Sequence, residues 1–197
     1  MHIDHIVNQI FTSRTYILSE EGNHRIWLVD CGDIDRVFDQ YSDKTIEGVL
    51  LTHTHSDHIY GLNRLLERFP DVKIITNEYG YGALVSPKLN ISRYHSEYDD
   101  IILSDRSNVM VVSEGSEFDV LGRACEVFET PGHDPSCLCF RMGDVLFTGD
   151  AYIPGVKVFT GFPYSDKKQA AESLQRILSL SSGMTVCPGH ELQKGQR

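Results

Sequence analysis

The chain has 197 residues, of which 41% are hydrophobic and 23% charged, as in an ordinary globular protein with room for a sizeable core. We therefore expect a single domain over residues 1–197. Its formal net charge of -10 makes it a poor partner for phosphate backbones, which argues against a nucleic-acid substrate. No signal peptide and no apolar run long enough to span a bilayer is visible, so we expect no membrane association.

The chain contains five cysteines, an odd number, and no Cys-x-x-Cys pair. Without a secretion signal, free thiols in a reducing compartment are expected, which predicts a cytoplasmic protein. Cys137 and Cys139 flank Leu138 in a predicted strand. We expect both to be core residues rather than metal ligands.

The first part of the chain predicts short strands and two helices. Strands are predicted over residues 6–11, 14–18, 25–29 and 46–51, and helices over 34–41 and 59–69. Asp30 follows the third strand. It could hydrogen-bond a metal-ligating histidine or serve as a turn or capping residue.

Three imidazoles and one carboxylate lie within six residues, directly after the strand 46–51: His53, His55, Asp57 and His58. Ligands of α/β units bind at the carboxyl ends of strands, and these side-chain types suit zinc and similar divalent metals. His53 and His55 can point to one side of an extended segment, whereas Asp57 and His58 lie on the next turn. The spacing therefore indicates two metals side by side rather than a polar loop with chance histidines.

The second part of the chain begins with a strand over residues 72–76 and a less regular region over 78–105. That region predicts a helix followed by a loop over the site, and His95 within it is a possible ligand by residue type alone. Further strands are predicted over 109–113, 117–120, 125–129, 137–142, 145–148 and 185–187. Gly143-Asp144 predicts a hairpin, and Ser165 is predicted to cap a helix that begins after it.

Three of these strands end in a ligand-type residue preceded by glycine, namely His133, Asp150 and His190. Glycine lets the backbone bend tightly at such a point. One Pro-Gly-His sequence is weak evidence for a site. Two copies, at 131–133 and 188–190, together with Gly149-Asp150 and the six-residue cluster, are strong evidence.

In this order, the motifs at 52–58, 131–133, 149–150 and 188–190 resemble those of the metallo-β-lactamase superfamily. The resemblance covers nearly the whole chain. It implies an α/β fold, a four-layer αββα sandwich with the metals at one edge of its two sheets. By position, it implies one metal held by His53, His55 and His133, and a second held by Asp57, His58 and His190. Asp150 would bridge the two metals.

Two divalent ions, zinc first and iron or manganese as alternatives, would follow from this ligand set. Ions about 3.5–4 Å apart acidify a water between them to a pKa of about 7, so that hydroxide attacks a carbonyl or a phosphorus. Asp57 is predicted as the catalytic residue that orients the hydroxide and takes its proton. Tyr152 and Tyr164 could assist an oxyanion, although packing or rim positions are favoured for both.

Within the superfamily, the chain most resembles the glyoxalase II-like (hydroxyacylglutathione hydrolase-like) hydrolases, through His58 after Asp57, its compact length and residues 87–92. Glyoxalase II continues past its last histidine into a helical region that helps bind a glutathione thioester, whereas seven residues follow His190 here. The segment Asp134-Pro135-Ser136 also departs from the family pattern and would place an extra negative charge near the metals.

These features predict a metal-dependent hydrolase of a small molecule, an acyl thioester or related ester, because a thiolate leaves without needing a proton. A lactonase or phosphodiesterase on the same fold is the alternative. A diiron oxidoreductase and a non-enzymatic metal-binding protein are more remote alternatives. The first typically has Glu where His55 stands and carries a flavin domain, and the complete ligand set argues against the second. The oligomeric state is left open.

Overall fold

The computed structural model describes residues 1–97 and 99–191, and within them eleven strands form two sheets. The first sheet has the order β1 (His2–Val7), β2 (Arg14–Ser19), β3 (Arg25–Val29), β4 (Thr45–Leu50), β5 (Lys73–Thr76) and β6 (Val109–Val111). The second has the order β11 (Thr185–Pro188), β10 (Val145–Gly149), β9 (Leu138–Met142), β8 (Arg123–Glu129) and β7 (Glu117–Val120).

In the part of the chain that the structure describes, four α-helices and two short 3-10 helices accompany the sheets. The α-helices are α1 (Ile34–Gln40), α2 (Leu62–Arg68), α3 (Glu78–Ala83) and α4 (Lys167–Leu180). The 3-10 helices cover Ser56–His58 and Ser92–Tyr94. Within the described residues, none of these helices combines the length and the apolar composition that crossing a bilayer requires.

The period of two along each strand divides the apolar residues between two faces of a sheet. In β3, Ile26 and Leu28 join a cluster with the apolar faces of α1 and α2, whereas Trp27 joins a cluster between the sheets. In β9, Phe140 belongs to the cluster between the sheets, and Cys139 packs with Ile177 of α4. The layers are therefore helix, sheet, sheet and helix, which confirms the αββα prediction.

Strand direction brings the ends of the ligand-bearing strands to one edge. Strands β3, β4 and β5 are parallel, so the residues after them meet at the same edge of the first sheet. In the second sheet, β10 is parallel to β11 and antiparallel to β9, which is antiparallel to β8. The chain segments that follow β8, β10 and β11 therefore also meet at one edge. A hydrogen bond of 2.7 Å from Leu138 N to Thr52 O joins the two sheets there.

Several predicted boundaries are wrong, and each for a local reason. The first strand is His2–Val7 rather than residues 6–11, because its pairing with β2 ends at Val7 and the chain then turns. Phe11 lies in that turn with a left-handed backbone, φ 54°. Helix α2 begins at Leu62 rather than at residue 59, because a 3-10 turn precedes it.

The cap of α4 also differs from the prediction. Asp166 caps the helix through its carboxylate, which accepts the N–H groups of Lys168 and Gln169 at 2.8 and 2.9 Å. The hydroxyl of Ser165 instead donates to His133 O at 2.7 Å, so this residue supports a predicted metal ligand rather than the helix.

All five cysteines are buried free thiols. Cys137 and Cys139 lie in the cluster under α4, as expected of core residues. Burial raises the pKa of Cys139 to about 12, which keeps it a neutral thiol. The prediction about the chain after His190 concerns residues 191–197, of which 192–197 lie outside the described residues.

Candidate metal centre

The structure brings all seven predicted ligands together at the shared edge of the two sheets. Three overlapping groups have ligand atoms within 4.8 Å of one another: His53, His55 and His133; His53, His58 and Asp150; and Asp57, His58 and His190. The first and third groups share no member. Each of these groups could hold a metal ion.

The first of these two groups consists of three buried histidines. His53 and His55 come from the segment after β4, and His133 follows β8 of the other sheet. His133 Nε2 lies 3.0 Å from His55 Nδ1, and the rings are nearly perpendicular, at 67°. Nitrogens at this separation and orientation converge on one point, as ligands of one ion do.

The other group joins the 3-10 turn to the end of β11. His58 Nε2 lies 3.2 Å from His190 Nε2. Asp57 Oδ2 lies 3.4 Å from the same His58 nitrogen and 3.3 Å from His190 Nε2. Ser13 fixes the backbone of this turn, since its hydroxyl donates to Asp57 O at 2.8 Å.

Asp150 connects the two groups. Its Oδ2 lies 3.6 Å from His133 Nε2 and 3.2 Å from His190 Nε2, so one oxygen faces a member of each group. Its Oδ1 lies 3.7 Å from His58 Nε2. A single carboxylate between two ligand groups is the placement that a bridging ligand requires.

The polar atoms of the cluster fit a cation better than they fit one another. His53 Nε2 and Asp150 Oδ1 are buried without a hydrogen-bond partner among the described residues. Leaving such atoms unpaired costs about 1–3 kcal/mol each, and native proteins rarely do so. A divalent cation bound by these nitrogens and oxygens would remove that cost.

Backbone carbonyls orient two of the histidines. His133 Nδ1 donates to Phe159 O at 2.8 Å, and His190 Nδ1 donates to Phe11 O at 2.9 Å. In each ring the proton on Nδ1 is used in this hydrogen bond, so the lone pair of Nε2 faces the cluster. Neither phenylalanine was singled out from the sequence, because a main-chain carbonyl carries no residue-type signal.

Two buried carboxylates orient the other pair of histidines. Asp30 Oδ2 lies 2.8 Å from His58 Nδ1, and Asp30 also has the left-handed backbone of a turn residue, so it bonds a histidine and turns the chain. Asp134 Oδ2 lies 3.3 Å from His55 Nε2. The extra charge predicted at Asp134 therefore lies behind His55, against the nitrogen that faces away from His133.

Neighbouring charges and burial shift the pKa values of the cluster. Burial opposes charge on His58, but the carboxylates of Asp57 and Asp30 outweigh it and raise the pKa of His58 to about 10. His53, buried among other imidazoles, has its pKa lowered well below the usual value. Burial also acts against charge on Asp150, yet the adjacent His190 holds the pKa of Asp150 well below its usual range.

The glycines before the ligands are required for two different reasons. Gly132 and Gly149 have φ values of 132° and 49°, which glycine adopts at least cost. Gly189 has no such φ, but a Cβ at this position would lie 2.2 Å from Asp150 Oδ1. The tight bend expected from the sequence and close packing both apply to the first two, whereas close packing alone explains Gly189.

The cluster opens into a cleft of about 290 Å³. The following residues line it: Phe11, His55, Asp57, Ile91, His95, His133, Asp150, Phe159, Phe162 and His190. His95 belongs to none of the three ligand groups and packs against the Phe11 ring at 5.0 Å. Tyr152 packs against the cluster under α4, and Tyr164 lies 6.3 Å from the ring of Tyr79, so neither lines the cleft.

Comparison with known proteins agrees with this geometry. The profile of the metallo-beta-lactamase superfamily matches residues 18–190. A hydroxyacylglutathione hydrolase from Hydrogenovibrio crunogenus is 28% identical over 184 residues, which are 90% of this chain and 58% of that protein. The chain thus spans little more than half of that relative's length.

Two solved structures share the fold over nearly all of the chain. The BLEG-1 B3 metallo-beta-lactamase has a TM-score of 0.87 and 22% identity, covering 97% of this chain and 92% of its own. TTHA1623 in a di-iron-bound form has a TM-score of 0.78 and 24% identity, covering 96% of this chain and 92% of its own.

Replacing Asp134 by asparagine should weaken metal binding. Asp134 Oδ1 accepts the Ser136 N–H at 2.8 Å and the Ser136 hydroxyl, so the amide oxygen of Asn would take this side. The NH2 group of Asn would then face the N–H group at His55 Nε2, and two donors cannot form a hydrogen bond with each other. We expect the affinity for zinc, measured by chelator competition, to fall about 10–100-fold.

Asp43, whose side chain is 70% exposed, provides the matched control for the Asp-to-Asn change. Asp43→Asn should leave the affinity for zinc unchanged. A folded Asp134→Asn protein that binds zinc as tightly as the wild type would show that Asp134 does not position His55.

Proposed function

Because the chain belongs to the metallo-beta-lactamase superfamily, we propose that it hydrolyses a small acyl thioester or related ester with two divalent metal ions. Its superfamily and the name of its relative indicate a metal-dependent hydrolase. The dinuclear site, the roles of its seven residues and the thioester substrate are the parts that we propose.

The position of Asp150 is the observation that carries the dinuclear proposal. Its Oδ2 faces His133 in one group and His190 in the other. Seven ligand-type side chains are too many for one tetrahedral site, whereas two sites that share a carboxylate use all of them. We propose His53, His55 and His133 for one ion, Asp57, His58 and His190 for the other, and Asp150 for both.

Zinc is the proposed metal, and iron or manganese would use the same residues. Imidazole nitrogens and carboxylate oxygens bind all three ions, so the ligand types do not select among them. The di-iron form of TTHA1623 supports keeping iron as an alternative. When bound, such ions supply Lewis acidity, which polarises a carbonyl and lowers the pKa of water.

Asp57 is the proposed catalytic residue. It lines the cleft, and its Oδ2 lies within 3.4 Å of two proposed ligand nitrogens. Its carboxylate can orient a water molecule toward an electrophile in the cleft and hold the proton that the water loses. Ser13 supports this role, because its bond to Asp57 O keeps the turn in place.

A thioester suits the groups that line the cleft. Apart from the proposed ligands, the described lining residues are Phe11, Ile91, His95, Phe159 and Phe162, of which His95 alone can donate a proton. A thiolate leaves without protonation, whereas the amine of an amide must be protonated to leave. The relative's name, hydroxyacylglutathione hydrolase, also supports thioester chemistry.

The substrate proposal predicts the order of activities in a panel of an acyl thioester, a lactone, a β-lactam and a phosphodiester. We expect kcat/KM of the zinc-loaded protein to be highest for the thioester, and the activity to disappear with chelator and return with zinc. A zinc-loaded protein that cleaves the phosphodiester and neither the thioester nor the lactone would contradict the proposal.

The dinuclear proposal predicts two metal ions per chain. Elemental analysis of protein purified without chelator and dialysed against zinc should approach this ratio, because both ligand groups are already assembled. The same measurement on Asp150→Ala should give a lower ratio, since that variant loses the carboxylate between the groups. A wild-type ratio that stays at one under metal-replete conditions would refute the dinuclear site.

Replacing Asp57 by alanine should abolish most turnover with the fold intact. Loss of a positioned general base typically costs about 10²–10⁴-fold in kcat, and loss of a ligand adds to it. Metal content should fall less than kcat, because His58, His190 and Asp150 remain. Asp39→Ala on the exposed face of α1 is the control, with unchanged kcat. Near-normal turnover of metal-loaded Asp57→Ala would show that the assignment is wrong.

A further inference from the structure

We infer that the cleft selects substrates with uncharged apolar groups on both sides of the scissile carbonyl, such as aryl or branched alkyl thioesters. This inference rests on the proposed function and specifies the class of substrate. It comes from the placement of aromatic rings around the cluster and from the charges that line the cleft.

Two large apolar side chains at the cleft are exposed. The exposed fraction is 43% for Phe11 and 58% for Phe159, and both line the cleft. Single exposed apolar residues are ordinary on a protein surface, but a group of them around a concave site indicates a binding surface. An apolar ligand group would remove both rings from water.

The main chain holds each of these phenylalanines beside a different ligand group. Phe11 O accepts from His190 Nδ1, and Phe159 O accepts from His133 Nδ1. The two phenylalanines are thereby anchored at different ligand groups, and both line the cleft. A carbonyl bound at the cluster can therefore extend its two substituents toward different phenylalanine side chains.

Two other apolar residues, Phe162 and Ile91, also line the cleft. The Phe162 ring packs 4.9 Å from the Phe159 ring and 4.6 Å from the His55 ring. An aromatic surface therefore extends from Phe159 to the proposed ligand His55. Ile91 is buried and has a φ of 60°. This left-handed conformation is unusual for a β-branched residue, and strain of this kind is found at functional sites.

The described cleft lining offers no lysine or arginine to pair with an anionic substituent that extends beyond the proposed metals. The charged lining residues outside the histidines are Asp57 and Asp150. A carboxylate on the acyl or thiol group would thus find apolar rings and no cationic side chain apart from the histidines. An uncharged substituent avoids this desolvation cost.

The test compares three thioesters with the zinc-loaded protein. The first is the phenylacetyl thioester of benzyl mercaptan, which is apolar on both sides. The second has a succinyl acyl group on the same thiol, and the third has the phenylacetyl group on 3-mercaptopropionate. We expect kcat/KM to be at least about tenfold higher for the first than for either of the others.

Side-chain variants test the residues. Phe159→Ala and Phe11→Asn remove the rings but keep the carbonyls that bind the histidines, and Asn tolerates the left-handed conformation at position 11. Each should lower kcat/KM for the first thioester about tenfold and leave zinc content unchanged. Leu178→Asn, at an exposed apolar residue of α4 outside the cleft, should change neither value.

A binding measurement separates this inference from the proposed function. Calorimetry of the zinc-loaded protein with phenylacetate and succinate needs no turnover, and phenylacetate should bind at least about tenfold more tightly. If no thioester is hydrolysed but phenylacetate is preferred, the substrate proposal fails and the apolar selectivity stands. Equal or reversed affinities, or equal kcat/KM for the three thioesters, would overturn the inference. Phenylalanine variants with an unchanged preference would overturn it as well.

Discussion

The hydrogen bonds between Asp30 and Thr52 join the ends of β3 and β4 at the edge that carries the ligand cluster. The fully buried Asp30 carboxylate accepts the Thr52 N–H at 2.8 Å, the Thr52 hydroxyl at 2.7 Å and His58 Nδ1 at 2.8 Å. Burial raises the pKa of Asp30, and these donors together with the positive charge of His58 oppose the rise. Asp30 adopts a left-handed backbone, φ 61°, to reach all three groups.

Thr52 also connects the two sheets. Its carbonyl accepts Leu138 N at 2.7 Å, which connects the end of β4 to the start of β9. Gly149 lies so close that a Cβ would stand 2.4 Å from Thr52 Oγ1. The residues that follow, His53 after Thr52 and Asp150 after Gly149, are therefore brought together by the close approach of Gly149 to the Thr52 side chain. The proposed function therefore depends on the same contacts that join the two sheets.

Much of the fold and of the cluster could be predicted from the sequence. The alternation of apolar residues in strands such as β3 specifies two buried faces, and ligand-type residues such as His133 stand at strand ends. The first strand was misplaced because His2 and Asp4 give it a polar, half-exposed pattern. The cap at Asp166 was missed because Ser165 is an equally good capping residue by type. Only the hydrogen bond from the Ser165 hydroxyl to His133 O distinguishes the two residues.

The sequence by itself determined the residue types of the site, because metal ligation needs specific side chains and these recur at strand ends such as His53 and His190. The tertiary structure alone decided which groups orient them and what surrounds them. The carbonyls of Phe11 and Phe159 reach His190 and His133 across 179 and 26 residues of chain. Main-chain donors and acceptors are the same for every residue type, and loop conformation depends on packing, so neither leaves a pattern in the sequence.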